Sequence, residues 1–138
     1  MKNILSVIAG LGAGVAVLIV LELLTAFLFP LPKGIDLSLA DEETKEFLMQ
    51  MMPKGVMIML LSNYLIASLA GGFVSSLISK KIWHPLMVGG LLTVANIFNL
   101  MEVPHPFWLA VTSMFMFLPF AFLGGKIGLM VKKKSACV

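Results

Sequence analysis

The sequence contains no arginine, one cysteine and few charged residues of any kind. Only 12% of the 138 residues are charged, whereas 59% are hydrophobic and the mean hydropathy is +1.02. Since a typical soluble domain carries about 25% charged residues, this composition argues against a water-soluble fold. The single cysteine, Cys137, excludes an intramolecular disulfide. We therefore expect a chain whose solvent is lipid.

The missing arginine also argues against a nucleic-acid partner. The net charge of +3 comes from ten lysines that are separated along the chain and do not form one basic patch. Nucleic-acid binding proteins generally concentrate lysine and arginine on one face. We expect no nucleic-acid partner.

Four long apolar stretches are present, and each approaches or exceeds the roughly 20 residues that a helix needs to cross about 30 Å of hydrocarbon. They predict an all-α fold, a polytopic membrane protein with a four-transmembrane-helix bundle in one domain. The third stretch is the shortest, so it must stand nearly upright or begin at Ile82 or Trp83. The predicted spans are residues 4–29, 55–79, 85–101 and 107–131, followed by a tail at residues 132–138.

The lysines predict the orientation, because lysine and arginine are retained on the cytoplasmic side of short loops. One side of the predicted spans carries seven lysines and no acidic residue, whereas the other carries three lysines and six acidic residues. The sequence thus predicts a multi-pass protein of the plasma membrane. Both termini are expected in the cytoplasm.

The long loop after the first span predicts an amphipathic surface helix at residues 37–52. Apolar residues such as Leu37 and Leu48 recur at three- and four-residue spacing, and acidic residues occupy the other face. Ser38 with Asp41 resembles a capping box, and Pro53 ends the pattern. We expect this helix to lie flat on the outer surface; a lid or a partner-docking surface is the alternative.

Small residues recur at four-residue spacing in three of the predicted spans, which allows membrane helices to approach closely. They predict a tight bundle in the lipid bilayer, with a homodimer or a larger membrane complex as an open alternative. The residues are Gly10 and Gly14 in the first span, Ala67, Gly71 and Ser75 in the second, and Gly124 and Gly128 in the fourth.

Glu22 is the only charged side chain well inside a predicted span. It lies roughly 10 Å below the outer end of the first span at 1.5 Å per residue. A charge in the membrane interior costs about 2–3 kcal/mol on insertion scales. We therefore expect the carboxyl group to face the bundle, where it finds partners or holds a proton.

Four other polar residues lie at a similar distance from the outer ends of their spans and predict a polar layer. One interpretation is a structural hydrogen-bond network that fixes the helix register. The alternative is a proton- or cation-binding site open to the outer face. An accessory residue at the outer boundary is expected to join Glu22 only through water or a rearrangement. The layer consists of Glu22, Asn63, Asn96, Thr112 and Ser113, and the accessory residue is His105.

Groups that carry catalysis are scarce. The two histidines, His84 and His105, lie at opposite ends of the predicted spans, so they cannot jointly bind one haem or metal. Thiol redox chemistry needs paired cysteines, and nucleophilic catalysis needs a serine or cysteine beside a histidine and an acid. We expect no enzyme activity, no catalytic residue, no cofactor and no metal site.

A series of short motifs runs through most of the chain: Glu22, Pro30-x-Pro32-x-Gly34-x-Asp36, Gly71-Gly72, Gly89-Gly90, Pro104-His105-Pro106-x-Trp108, Leu118-Pro119 and Gly124. This series resembles a pattern in small uncharacterised bacterial four-helix integral membrane proteins. The resemblance implies no activity. In that pattern a histidine often stands four residues after the glutamate, where this chain has Ala26, and this difference weakens a Glu–His metal or proton site.

The sequence favours an integral membrane scaffold or accessory subunit without catalytic activity. This function explains the small residues, the surface helix and the scarcity of reactive groups with the fewest assumptions. The alternative is an oligomeric proton- or cation-linked small transporter or channel that uses Glu22 and the polar layer. Four helices generally need to oligomerise before they enclose a path.

Overall fold

The computed structural model describes residues 1–30, 39–102 and 105–137. These residues form helices without a strand, and four of the helices are long and apolar enough to cross a membrane. The predicted all-α class with four candidate spans is therefore confirmed. The helices are α1 (Lys2–Leu28), α2 (Glu42–Met51), α3 (Lys54–Ile78), α4 (Trp83–Glu102) and α5 (Phe107–Ala136), of which α1, α3, α4 and α5 are the candidate spans.

Helices α4 and α5 extend furthest beyond their predicted spans. Helix α4 begins at Trp83, two residues before Pro85, which lengthens the shortest span. Helix α5 continues through the lysines of the predicted tail to Ala136. Lysine is a good helix former, and positive charge near a helix C-terminus interacts favourably with the helix dipole.

Helix α2 is shorter than the predicted amphipathic helix. It begins at Glu42, because Asp41 adopts an extended N-cap conformation with φ −67° and ψ 158°, and residues 39–41 are not helical. Glu42 and Glu43 then fill the first turn, where negative charge complements the helix dipole. The expected start at Leu37 and the Ser38 part of the capping box lie outside the described residues.

The four long helices alternate in direction, and α3 has the most extensive packing, chiefly against α1 and α5 and less against α4. Both ends of the chain lie at one end of the bundle. Lys132 Nζ near the C-terminus donates to the Leu77 carbonyl at 2.6 Å, and Gly10 near the N-terminus faces Ser75 of the same part of α3. We call this the lysine-rich end (Lys2, Lys80, Lys81, Lys132, Lys133, Lys134) and the opposite one the acidic end (Asp41, Glu42, Glu43, Glu46, Glu102).

The glycines of the small-residue pattern lie where helices cross. A Cβ atom on Gly10 would lie 2.6 Å from Ser75 Cβ and 2.7 Å from the Gly71 carbonyl oxygen, so α1 and α3 meet almost backbone to backbone. Gly124 faces the backbone of Leu69 in the same way at the crossing of α3 and α5. Close approach of this kind supplies the van der Waals contact that holds membrane helices together.

Candidate functional site

A cavity of about 360 Å³ lies toward the acidic end of the bundle, and side chains from every helix line it. We call it the Glu22 cavity. Most of its wall is apolar, and the polar groups that reach it are few. The polar lining residues are Glu22 and Thr25 of α1, Tyr64 of α3, Asn99 of α4 and His105 of the α4–α5 connection.

Helical periodicity explains why these residues share one cavity. Helix α1 contributes Glu22, Thr25, Ala26 and Phe29, which occupy positions i, i+3, i+4 and i+7 and therefore lie along one stripe. Helix α3 contributes Val56, Leu60 and Tyr64 at four-residue spacing, and Met57 beside them. Ala26, the position at which the resembling pattern often has histidine, thus faces the same space as Glu22.

The Glu22 carboxyl group is half-buried. Within residues 1–30, 39–102 and 105–137, no side chain or backbone group donates a hydrogen bond to it. His105 lines the same cavity, so the loop between α4 and α5 brings the predicted accessory residue to the space that Glu22 occupies. The structure therefore brings together two of the predicted site residues from distant parts of the sequence.

Asn63 lies at the edge of this cavity through its contact with Thr25. Its side chain is 3% exposed, and Asn63 Nδ2 donates to Thr25 Oγ1 at 2.9 Å and to the Leu21 carbonyl oxygen at 3.4 Å. Thr25 Oγ1 in turn donates to the same Leu21 carbonyl at 2.8 Å. These bonds join α1 to α3, as a structural network would.

The remaining members of the predicted layer lie apart from the cavity. Asn96 Nδ2 donates to Ser113 Oγ at 2.9 Å and joins α4 to α5, while Ser113 Oγ donates to the Ala110 carbonyl at 2.9 Å. Thr112 Oγ1 donates to the Trp108 carbonyl at 2.6 Å within α5. Among the described residues, no hydrogen bond connects this set to Asn63 or Glu22.

Sequence reasoning missed Tyr64 and Asn99 as lining residues. Tyr64 follows Asn63 directly, and Asn99 is one turn of α4 beyond Asn96, so their depth in the spans could have indicated them. The aromatic ring of Tyr64 packs against Phe117 with 5.7 Å between ring centroids. This contact holds Tyr64 between the cavity and the buried core.

A second cavity of about 700 Å³, here called the outer cavity, adjoins the first at the acidic end. The two cavities share Met49 and Met52 from α2 and its C-cap, Met57 of α3, and the His105–Pro106 pair. Methionine side chains are unbranched and flexible. The boundary between the two cavities is therefore built largely from side chains that can move.

The chemistry available at the Glu22 cavity is that of one carboxyl group in a mostly apolar wall, with Thr25, Tyr64, Asn99 and His105 as the other polar side chains that the described residues contribute. The described part of the chain holds no group of three or more histidine, cysteine, aspartate or glutamate residues that could bind a metal ion. A carboxyl group in such surroundings can bind a cation or exchange a proton. No family model, curated protein or solved structure matches the chain.

Proposed function

We propose that the chain is a non-catalytic integral membrane carrier that binds a proton or cation at Glu22 in the outer half of the membrane. The observation that carries this proposal is the environment of the Glu22 carboxyl group. Its carboxyl group lines a cavity and receives no hydrogen bond from the described residues. Ionisable groups inside membrane proteins are costly and commonly mark ion or proton pathways.

The energetic contrast with the asparagines supports this assignment. Asn63 and Asn96 form hydrogen bonds between helices, so bundle stability accounts for their presence. Glu22 makes no such bond with the described residues, yet a charge in the membrane interior costs about 2–3 kcal/mol. A residue that weakens insertion without strengthening the bundle is best explained by the ligand or proton that it holds.

The packing beyond the cavity favours a carrier over an open channel. Between the Glu22 cavity and the lysine-rich end, Ala67, Ser68 and Val88 are each 0% exposed. Ser68 Oγ also donates to the Phe117 carbonyl at 2.6 Å, which ties α3 to α5 in this section. A ligand bound at Glu22 could pass to the lysine-rich end only after these helices separate, as alternating access requires.

A scaffold or accessory subunit is the second candidate. It is favoured by the two interhelical asparagine bonds and by the close crossings at Gly10 and Gly124, all of which stabilise one arrangement of the bundle. Its partner would be a second copy of the chain or a larger membrane complex. In this case Glu22→Gln, which keeps the size and polarity of the side chain, leaves assembly unchanged.

The orientation of the bundle belongs to this proposal. We place the lysine-rich end in the cytoplasm, in keeping with the retention of lysine on that side, and the membrane is a plasma membrane of the bacterial inner type. Helix α2 would then lie across the outer face. Leu48 is 8% exposed whereas Phe47 is 61% exposed, and Lys45 Nζ donates to the Glu102 carbonyl at 3.2 Å, which ties α2 to α4.

Transport by reconstituted vesicles tests the carrier function. We expect purified protein in lipid vesicles to carry protons or monovalent cations down an imposed gradient. Glu22→Gln should reduce this flux by about tenfold or more, because loss of one ion-binding carboxylate costs at least about 1.4 kcal/mol. Glu102→Gln is the matched control, since Glu102 is a carboxylate at the end of α4 that lines neither cavity.

Equal flux from wild type and Glu22→Gln would contradict the carrier function, as would wild-type vesicles that show no flux above protein-free vesicles. Either result, with an unchanged elution volume of the variant in detergent, would leave the scaffold as the better proposal. The elution profile also separates a loss of flux from a loss of folding.

A further inference from the structure

We propose that the Glu22 cavity binds a hydrophobic organic cation, meaning an ammonium group attached to an aromatic or branched apolar body. This inference rests on the proposed function, because it names the ligand class for the same cavity. It follows from the size of the cavity, the character of its wall and Glu22, which is the one carboxylate among the described residues that line it.

The size of the cavity favours an organic ligand. Its volume of about 360 Å³ falls in the range of roughly 300–1,000 Å³ that small-molecule sites occupy. A proton needs no such space. A bare sodium or potassium ion would fill a small part of the cavity, and the rest of the wall would face trapped water or nothing.

The wall of the cavity is suited to an apolar body. Leu60 and Met57, which are both partly exposed, supply apolar surface, and burial of a ligand's apolar area against them favours binding. Phe29 and Tyr64 add aromatic rings. The face of an aromatic ring attracts an organic cation within about 6 Å of its centre, so these rings can contribute to both parts of the ligand.

The charge of the ligand follows from Glu22. An anion is disfavoured by the carboxylate, and a neutral apolar molecule would remove water from it without supplying a counter-ion. The cost of dehydrating an ion falls as its radius grows, so a bulky ammonium ion enters this apolar cavity more readily than a small inorganic cation. An ammonium group beside Glu22 thus satisfies the charge while the apolar body fills the remaining space.

The outer cavity supplies an approach to the site. Glu46 and Lys54 both line it, so their opposite charges give little selection at the entrance. The shared residues Met49, Met52 and Met57 then stand between the outer cavity and Glu22. Flexible methionine side chains adapt to varied apolar shapes, which suits the passage of a bulky cation and leaves selection by charge to Glu22.

Two isosteric probes test this inference on the full chain purified in detergent. Benzyltrimethylammonium is the cation, and neopentylbenzene is its neutral counterpart, with carbon in place of nitrogen. We expect equilibrium dialysis to show binding of the cation and at least about tenfold weaker binding of the neutral probe. An equal concentration of sodium ion should not displace the cation.

Three variants locate the site. Glu22→Gln should weaken binding of the cation by about tenfold or more and leave the neutral probe little changed. Glu102→Gln should leave the affinities for both probes unchanged. Ala26→Phe places a ring in the cavity without altering its charge, so it should weaken the binding of both probes.

The inference is overturned if both probes bind equally, if Glu22→Gln keeps the wild-type affinity for the cation, or if Ala26→Phe changes neither affinity. Its failure is distinguishable from failure of the carrier function. Cation binding without flux would support the inference and contradict the carrier. Glu22-dependent flux of sodium ions or protons without binding of benzyltrimethylammonium would support the carrier and contradict the inference.

Discussion

The polar side chains inside the bundle differ in how fully their hydrogen-bonding capacity is used. Asn63 Nδ2 has two acceptors on α1, and Thr25 both accepts from Asn63 and donates to Leu21. Asn96 uses its nitrogen toward Ser113, but its buried Oδ1 has no partner among the described residues. Substitutions at these positions should therefore have different energetic effects.

The bond between Asn63 and Thr25 should be measurable as a coupling energy. Asn63→Leu and Thr25→Val each remove one partner with little change in volume, so each should destabilise the bundle. Hydrogen bonds between membrane helices contribute about 0.6 kcal/mol on average. We expect a double-mutant cycle, measured by reversible unfolding in mixed micelles, to give a coupling energy of this size.

The second pair supplies a control for this measurement. Combining Asn63→Leu with Ser113→Ala should give additive changes in the free energy of unfolding, because no hydrogen bond in the described residues joins the two pairs. Additive behaviour of Asn63→Leu with Thr25→Val would show that their bond does not contribute to stability.

At the scale of helices, the crossing of α1 and α3 depends on the absence of a side chain at Gly10. Both Ser75 Cβ and the Gly71 carbonyl oxygen occupy the space that a Cβ atom would need. Gly12, two residues further along α1, has no atom within 4 Å of such a position. The same substitution at these two sites therefore separates packing from helix propensity.

We expect Gly10→Ala to destabilise the bundle by about 1–3 kcal/mol, the usual cost of overpacking. Gly12→Ala should be stabilising by about 0.4–1 kcal/mol, because alanine restricts the unfolded chain and fits a helix without strain. Unfolding of both variants in mixed micelles provides the comparison. Equal effects at the two positions would mean that α1 does not cross α3 closely at Gly10.

At the scale of the whole molecule, the separation of lysines from acidic residues makes the orientation testable. Cys137 is exposed and is the single cysteine of the chain. In intact cells or right-side-out vesicles it should resist a membrane-impermeant maleimide and react only after permeabilisation. Glu43→Cys in a Cys137→Ser background should react without permeabilisation, since Glu43 lies in α2 at the acidic end.

Labelling of Cys137 from outside in intact cells would reverse the proposed orientation. It would place the Glu22 cavity toward the cytoplasm and make the ligand an intracellular cation. Labelling of both positions from the same side would contradict the three membrane crossings, an odd number, that α3, α4 and α5 make between them.

The number and type of the long helices were predictable from sequence because hydropathy is a local property. A stretch such as residues 107–131 is apolar whatever its neighbours are. In lipid it forms a helix, because a helix satisfies its own backbone hydrogen bonds. The start of α2 was less predictable. It depends on the extended backbone of Asp41, and the spacing of apolar residues carries no information about that conformation.

The candidate site divides in the same way. Composition and depth by themselves determined that Glu22 is an exceptional residue and that asparagines lie at similar levels. Only the tertiary structure decided that Asn96 faces Ser113, that Asn63 faces Thr25, and that Glu22 shares its cavity with Tyr64 and His105. The physical reason is that depth follows from position along a helix, whereas neighbours depend on how each helix is rotated and where the glycine crossings bring it against the next.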